Sequence, residues 1–346
     1  MSVNWKKFVD QISHYQSFVL VSHIRPDCDA LGSELAMAEI LRTIGKDVRI
    51  INAHRTPESL QFLDPASNIE VLGDDVEAED ISCDCFMILD TSAWGQLGDM
   101  GEVIRAASCD KMVLDHHIGE DDLGANLYKD YQADSTGHLV AQAADAFGVP
   151  LTRKMGKAIF AAIATDTGWF RFDSVTSDTY RVIAQLLDVG VVPSELYSDL
   201  YERDTLGRLR LRGLILSRTQ SELDGALMHT HVLAEDFEKM GAQPNDTEDS
   251  INLTLAVRNT KAAVIFVGQV RGGYKLSFRS RCGMACNEIA RQFNGGGHKA
   301  AAGAFQEGTL DDVRGRVLPV VFAAVKEAMA RAVSYTHLTL PTTPYV

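Results

Sequence analysis

His23-Ile-Arg-Pro-Asp27-Cys-Asp29-Ala-Leu-Gly32-Ser33 follows directly on an apolar run, Phe18-Val-Leu-Val-Ser22. It leads into a helical pattern carried by Leu35, Ala36, Ala38, Ile40 and Leu41, which stops near Gly45. A β-rich run that breaks on a polar turn and resumes as a helix is the opening unit of an α/β fold. Pro26 fixes the turn and Gly32 is read as opening the helix. Working outward, Val48-Arg-Ile-Ile51, Phe86-Met-Ile-Leu89 and Met112-Val-Leu114 are further short apolar runs that read as buried strands. Their alternation with helical patterns predicts a parallel sheet with helices on both faces.

A helix-rich stretch is expected from residue 137 to about 190, and a polar, Arg-rich connecting helix over 201–218. Beyond residue 221 the pattern changes: strands are expected at 228–233, 262–270 and 274–279, with helices at 284–293 and 311–332. The chain therefore divides into an α/β catalytic domain (1–195), a helical linker (196–220) and a smaller α/β domain (221–332). The last stretch, Val333-Ser-Tyr-Thr-His-Leu-Thr-Leu-Pro-Thr, reads as a translated sequencing adapter. Residues 333–346 are accordingly treated as an artefactual tail, and His337 carries no weight.

Of the 346 residues 46% are hydrophobic and 23% charged, an ordinary globular balance with room for two cores. No run of about 18 apolar residues appears, which argues against a membrane span. The start, Met1-Ser-Val-Asn-Trp-Lys-Lys, has no secretory core. Cysteines 28, 83, 85, 109, 282 and 286 form no CxxC pair and read as reduced thiols of a cytoplasmic protein. A formal charge of −14 argues against coating long duplex nucleic acid. A short anionic substrate stays compatible if cations neutralise an acidic pocket.

Candidate ligands fall after the apolar runs, where α/β folds bind ligands. The first run leads to His23, Asp27 and Asp29, the third to Asp90, and the fourth to Asp115-His116-His117. Asp166 closes an Ala-rich apolar helix. A lone Asp at such a place is more often a helix cap or turn former, and a lone buried His more often structural. Four separated segments delivering carboxylates and imidazoles to one sheet edge change that balance, because cations would relieve the like-charge repulsion. Oxygen donors with a few imidazoles suit Mn²⁺, Mg²⁺ or related ions, and the lack of thiolates argues against structural zinc. Ser33, Thr91 and Ser92 are read as caps rather than nucleophiles. Gly295, Gly296 and Gly297, followed by His298-Lys299, read as a glycine-rich phosphate loop with Arg279 and Ser280 as further anion partners. Lys299 is by default a solvated surface side chain.

These segments, in this order, resemble the motifs of the DHH phosphoesterase family. The block Leu276-Ser-Phe-Arg-Ser280 with Gly295-Gly-Gly-His-Lys-Ala-Ala-Ala-Gly303 is similar to the nucleotide-binding signature of the DHHA1 domain. The resemblance spans nearly the whole chain up to about residue 330. The two-domain arrangement is similar to the branch that degrades very short RNA oligonucleotides and dephosphorylates 3′-phosphoadenosine 5′-phosphate (pAp). The resemblance implies two Mn²⁺ ions, or other divalent ions such as Mg²⁺ or Co²⁺. One would be held by His23, Asp27 and Asp90, the other by Asp29, Asp90, His116 and Asp166. It further implies that Asp115 orients an imidazole and that His117 meets the scissile phosphate or protonates the leaving group. Arg279, Ser280, Gly295–Gly297 and His298 would grip the nucleotide, giving a preference for short substrates. It also admits a homodimer. Cyclic-dinucleotide or pApA phosphodiesterases, single-strand exonucleases and inorganic pyrophosphatases share the metal motifs. A non-catalytic nucleotide-binding protein is the alternative from another class.

Overall fold

The computed structural model describes residues 2–247 and 250–336. It separates into two units, residues 1–203 and 204–346. In the first unit six strands, β1 (Ser17–Val21), β2 (Asp47–Asn52), β3 (Ile69–Val71), β4 (Cys85–Leu89), β5 (Asp110–Asp115) and β6 (Asn126–Lys129), form one sheet in the order β3-β2-β1-β4-β5-β6. Every pairing in it is parallel. Its helices are α1 (Trp5–Ser13), α2 (Cys28–Thr43), α3 (Met100–Ala106), α4 (Thr136–Phe147), α5 (Arg153–Asp166), α6 (Ser177–Asp188) and α7 (Pro193–Tyr201).

Period-two alternation sends successive strand side chains to opposite faces. Phe18, Leu20, Met87 and Leu89 pack with α2, α4 and α5, whereas Val19, Val21, Phe86 and Ile88 pack with Met100 and Ile104 of α3. Both faces are thus covered, as the continuous apolar runs require. The strand order reverses between β1 and β4, and the carboxyl ends of strands at such a switch point are where these sheets bind ligands. His23 lies just past β1, Asp90 just past β4, and Asp115 ends β5.

The turn after β1 differs from its expectation in one detail. Gly32 does not open α2 but sits more than a turn inside it; the cap is Asp27, whose Oδ1 accepts the N–H groups of Asp29 (2.9 Å) and Ala30 (3.1 Å). Gly32 is needed for helix crossing. A Cβ there would lie 2.4 Å from the Ala158 carbonyl oxygen and 3.1 Å from Ala162 Cβ, and one on Gly137 would lie 2.4 Å from Ala162 Cβ. These two glycines let α2, α4 and α5 approach closely. Gly32→Ala should therefore destabilise the first unit by about 1–3 kcal/mol, the usual cost of overpacking. A melting temperature unchanged from wild type would refute this.

The second unit holds α8 (Leu206–Ser217), β7 (Gln220–Glu222), β8 (Leu227–Val232), α9 (Ala234–Met240), α10 (Ser250–Leu255), β9 (Ala262–Gly268), β10 (Tyr274–Ser280), α11 (Cys286–Gln292), β11 (Gly296–Gly297), β12 (Ala301–Gln306) and α12 (Leu310–Thr336). Its sheet runs β11-β12-β10-β9-β8-β7, parallel only between β8 and β9. Leu211 and Ile215 of α8 pack on Met228, Val232 and Ala263, so this Arg-rich helix shares the second unit's core. The other face carries α11 and α12 through Ile289, Val313, Val317 and Val321. The last helix runs to Thr336, four residues past its expected end at 332. Residues 337–346, the greater part of the expected tail and the place of His337, lie outside the described residues. Among the described residues, no helix is long and apolar enough to cross a membrane.

Candidate metal centre

The two imidazoles nearest the sheet are tethered at one nitrogen and aimed with the other. His23 Nδ1 lies 3.0 Å from the Ile24 carbonyl oxygen, which leaves Nε2 facing Asp90 Oδ2 (3.4 Å) and Asp27 Oδ1 (3.8 Å). His116 Nδ1 lies 3.2 Å from the Ala133 carbonyl, and its Nε2 faces Asp166 Oδ2 (3.5 Å), Asp29 Oδ2 (3.7 Å) and Asp90 Oδ1 (3.7 Å). Asp90 thus turns one oxygen toward each imidazole. Three overlapping groups could each hold an ion: His23, Asp27 and Asp90; Asp29, His116 and Asp166; Asp90, His116 and His117.

Backbone geometry aims these carboxylates. Asp90 takes a left-handed φ of +62°, uncommon outside glycine and tolerated best by Asp and Asn, while its N–H donates to Leu114 O. Its Oδ1 accepts the Thr136 hydroxyl at 2.9 Å. Asp29 is buried and accepts the N–H groups of Thr136 and Gly137, each at 2.8 Å, across the start of α4. A carboxylate at a helix N-terminus is favoured by the orphan donors there. Burial nonetheless pushes the Asp29 pKa well above the carboxylate range, and Asp90 and Asp166 add to it. Asp166 is pushed up to about 6 by burial, with Asp90 and Asp27 opposing the help it gets from His116. Burial pushes His23 down, but its contacts with Asp27 and Asp90 win and raise it to about 11.

Two observations test whether the residues fit a divalent cation. The buried Nε2 of His116 has no hydrogen-bond partner among the described residues. An unpaired buried ring nitrogen normally costs free energy, and here it points at three carboxylates. The like-charge penalty on Asp29 and Asp166 is likewise of the kind a cation removes. All donors are carboxylate oxygens and imidazole nitrogens, a set suited to Mn²⁺ or Mg²⁺. The residues fit.

Asp115 serves a different imidazole. Fully buried, it accepts His117 Nδ1 at 2.9 Å and the His117 N–H at 3.0 Å on Oδ1. On Oδ2 it accepts Ser92 Oγ (2.8 Å) and Lys129 Nζ (3.0 Å). Burial opposes its charge, but His117 and Lys129 hold its pKa well below the usual carboxylate range. His117, about half exposed, is drawn upward chiefly by Asp115. Lys129 is the residue sequence reasoning missed. Its side chain is only 4% exposed, and its ammonium also meets Ser92 Oγ and the Gly119 carbonyl. Parallel register places it opposite Asp115, the one signal that could have found it. The cap readings of nearby hydroxyls need revision: Ser92 bonds Asp115, and Ser33, inside α2, reaches Asp29 Oδ1 at 3.3 Å. Thr91 Oγ1 accepts the Ala93 N–H at 3.3 Å, a local turn contact.

The remaining candidates lie together in the second unit. Arg279 and Ser280 end β10, and the Ser280 N–H donates to Ala300 O at 2.9 Å. His298 opens the turn into β12, its N–H on Ala301 O at 2.7 Å. The glycine triplet is not an open loop. Gly296 and Gly297 form an edge strand on β12, and a Cβ on Gly295 or Gly297 would lie 2.1 Å from Gly303 O or 2.6 Å from Ala302 Cα. Glycine is required here for close strand approach. His298 and Lys299 are exposed.

Known proteins resemble the chain over most of its length. The DHH family, N-terminal domain, matches residues 17–163, and the DHHA1 domain matches residues 233–328. A Bacillus subtilis protein named bifunctional oligoribonuclease and PAP phosphatase NrnA is 30% identical over 303 residues, spanning 86% of this chain and 92% of that one. A Thermus thermophilus protein of the same name is 32% identical over 317 residues, 90% of each chain. Among solved structures, an exopolyphosphatase-related protein from Bacteroides fragilis superposes with a TM-score of 0.82 at 26% identity, covering 93% of this chain and 95% of that one.

Proposed function

The chain belongs to the DHH family of phosphoesterases, with a DHHA1 domain following the DHH domain, and from that premise we propose that it hydrolyses short oligoribonucleotides and pAp with two divalent ions, Mn²⁺ foremost. The observation that carries the reading is the carboxylate–imidazole cluster built on buried Asp29 and Asp90, toward which the His116 Nε2 points, with no hydrogen-bond partner among the described residues. His23, Asp27 and Asp90 would hold one ion; Asp29, Asp90, His116 and Asp166 the other. Bound there, the ions would supply Lewis acidity toward the phosphoryl group and a water acidic enough to act as nucleophile near neutral pH.

The chain's own residues do the rest. The Ile24 and Ala133 carbonyls fix the His23 and His116 rings, so each offers Nε2 without rotamer search. Asp115 holds His117 by Nδ1, which leaves Nε2 as the atom that meets the phosphate or passes a proton to the leaving oxygen. In the second unit, Arg279 with its planar fork, Ser280, His298 and the backbone of Gly295–Gly297 would bind the nucleotide's other phosphate. The six cysteines are all free, which supports a reducing, cytoplasmic setting. A dimer of this chain is a further proposal, checkable by light scattering.

The deciding experiment is a substrate panel with Mn²⁺: pAp, di- to pentaribonucleotides, cyclic di-AMP and pyrophosphate. Turnover of the short RNAs and pAp is expected; turnover of cyclic di-AMP or pyrophosphate alone would overturn the reading. Within the same panel, Arg279→Ala and His298→Ala should each raise KM for diribonucleotides about 10-fold or more, the scale of one lost charge-assisted bond. Unchanged kcat/KM in both variants would remove the second unit from substrate binding.

A further inference from the structure

A pocket of about 240 Å³ opens beside the metal centre, within the first unit. Asp27, Asp29 and Asp166 line it together with Leu60, Leu200 and Tyr201. The carboxylates would be accounted for by the proposed ions. The apolar lining is not, since nothing in phosphoryl transfer requires two leucines and a tyrosine there.

Tyr201 is the last residue of α7 and is 46% exposed. Its ring is braced from behind by Trp169 (centroids 5.6 Å, nearly perpendicular) and Tyr197 (5.0 Å). Trp169 in turn is held by unusual backbone. Gly168, Trp169 and Phe170 all take left-handed φ values of 57–62°, directly after Thr167. Aromatic residues rarely adopt this conformation, and its persistence beside a ligand signals that the surroundings impose it. The Trp169 N–H donates to Ala164 O at 2.6 Å, tying the segment to the end of α5. The end of α5 thus carries Asp166 to the cluster, and the left-handed turn that follows Thr167 carries the brace to Tyr201.

We propose that Leu60, Leu200 and Tyr201 form a base-binding subsite, in which a nucleobase flanking the scissile phosphate stacks on the Tyr201 ring while its phosphate is presented to the metal centre. This rests on the phosphoesterase reading above. The pocket is smaller than the roughly 300–1,000 Å³ that drug-sized ligands fill, which suits one base rather than a whole nucleotide. Every base has a π-face, so an aromatic-floored subsite accepts mixed sequence, as an enzyme clearing short RNAs requires.

The test compares pApA with two analogues, each carrying an abasic riboside in place of one adenosine, in the Mn²⁺-loaded enzyme. Wild type should lose about 10-fold or more in kcat/KM on one analogue, the scale of one lost base stack. Tyr201→Ala should lose a similar factor on pApA through KM, with kcat within about twofold, and lose nothing further on that analogue. Tyr201→Phe should retain wild-type behaviour. Equal losses on all three substrates in Tyr201→Ala, or kcat/KM on pApA within about twofold of wild type, would overturn the subsite. A wild-type enzyme that turns over no substrate would sink the phosphoesterase reading instead. The subsite is then judged by tryptophan fluorescence, with AMP and ribose 5-phosphate as probes. Saturable quenching by AMP alone, lost in Tyr201→Ala, supports it; its absence in wild type overturns it.

Discussion

Asp90→Asn should abolish Mn²⁺-dependent turnover of diribonucleotides, lowering kcat/KM by about 10³-fold or more. Asp90 alone turns an oxygen toward both His23 and His116, at 3.4 and 3.7 Å. Losing its charge removes a ligand from both sets, and metal activation is worth several kcal/mol, about one decade of rate per 1.4 kcal/mol. Asparagine is a cleaner probe than alanine. Position 90 has a φ of +62°, which Asn accepts and which costs alanine about 1 kcal/mol or more. Asn also keeps an oxygen to accept the Thr136 hydroxyl.

The same variant makes a second prediction, for stability. Without added metal, Asp90 raises the pKa values of Asp29 and Asp166 by charge repulsion. Removing one negative charge relieves that repulsion while giving up the contact that raises His23, so the metal-free melting temperature should stay within about 2–4 °C of wild type, the shift expected for about 1 kcal/mol in a domain of this size. Added Mn²⁺ should stabilise wild type strongly and the variant little, since only binding to the folded state shifts the melt. Turnover within tenfold of wild type, or an undiminished Mn²⁺ shift, would count against a shared ligand.

β1, β4 and the middle of β5 are continuous apolar runs because both faces of a parallel sheet are buried, and the middle of β2 departs from this only at Arg49. The ends of β1, β4 and β5 lead into His23, Asp90 and Asp115–His117, so part of the candidate cluster could be read from strand ends, whereas Asp27 and Asp29 stand at the start of α2 and Asp166 closes α5. β3 is three residues long, and β6 pairs an exposed Leu127 with a buried Lys129, the reverse of an apolar pattern. Neither shows the alternation that marks a strand. β11 and β12 are glycine- and alanine-rich, so their small residues suggested a loop where close strand packing is the reason for them. The Tyr201 lining was invisible because α7 and the turn after Asp166 meet only in the fold.

Lys129→Met is expected to do what no single surface lysine change does: destabilise the first unit by about 3–5 kcal/mol and cut kcat by about 10–100-fold. The Lys129 ammonium sits 3.0 Å from Asp115 Oδ2, and Asp115 is fully buried. Truncating the cation leaves Ser92 as the remaining Oδ2 donor and only the half-exposed His117 on Oδ1, so a fully buried carboxylate loses its buried countercharge. The activity loss follows from geometry, because the other oxygen of Asp115 orients His117. A double-mutant cycle separates the two effects. Asp115→Asn with Lys129→Met removes both charges together, and replacing a buried pair whole is often neutral where breaking it is costly. The double variant should therefore melt closer to wild type than Lys129→Met does, yet turn over no faster than Asp115→Asn. If the two single losses in stability simply add, Lys129 and Asp115 are not a coupled pair, and the orientation of His117 must rest on Asp115 alone.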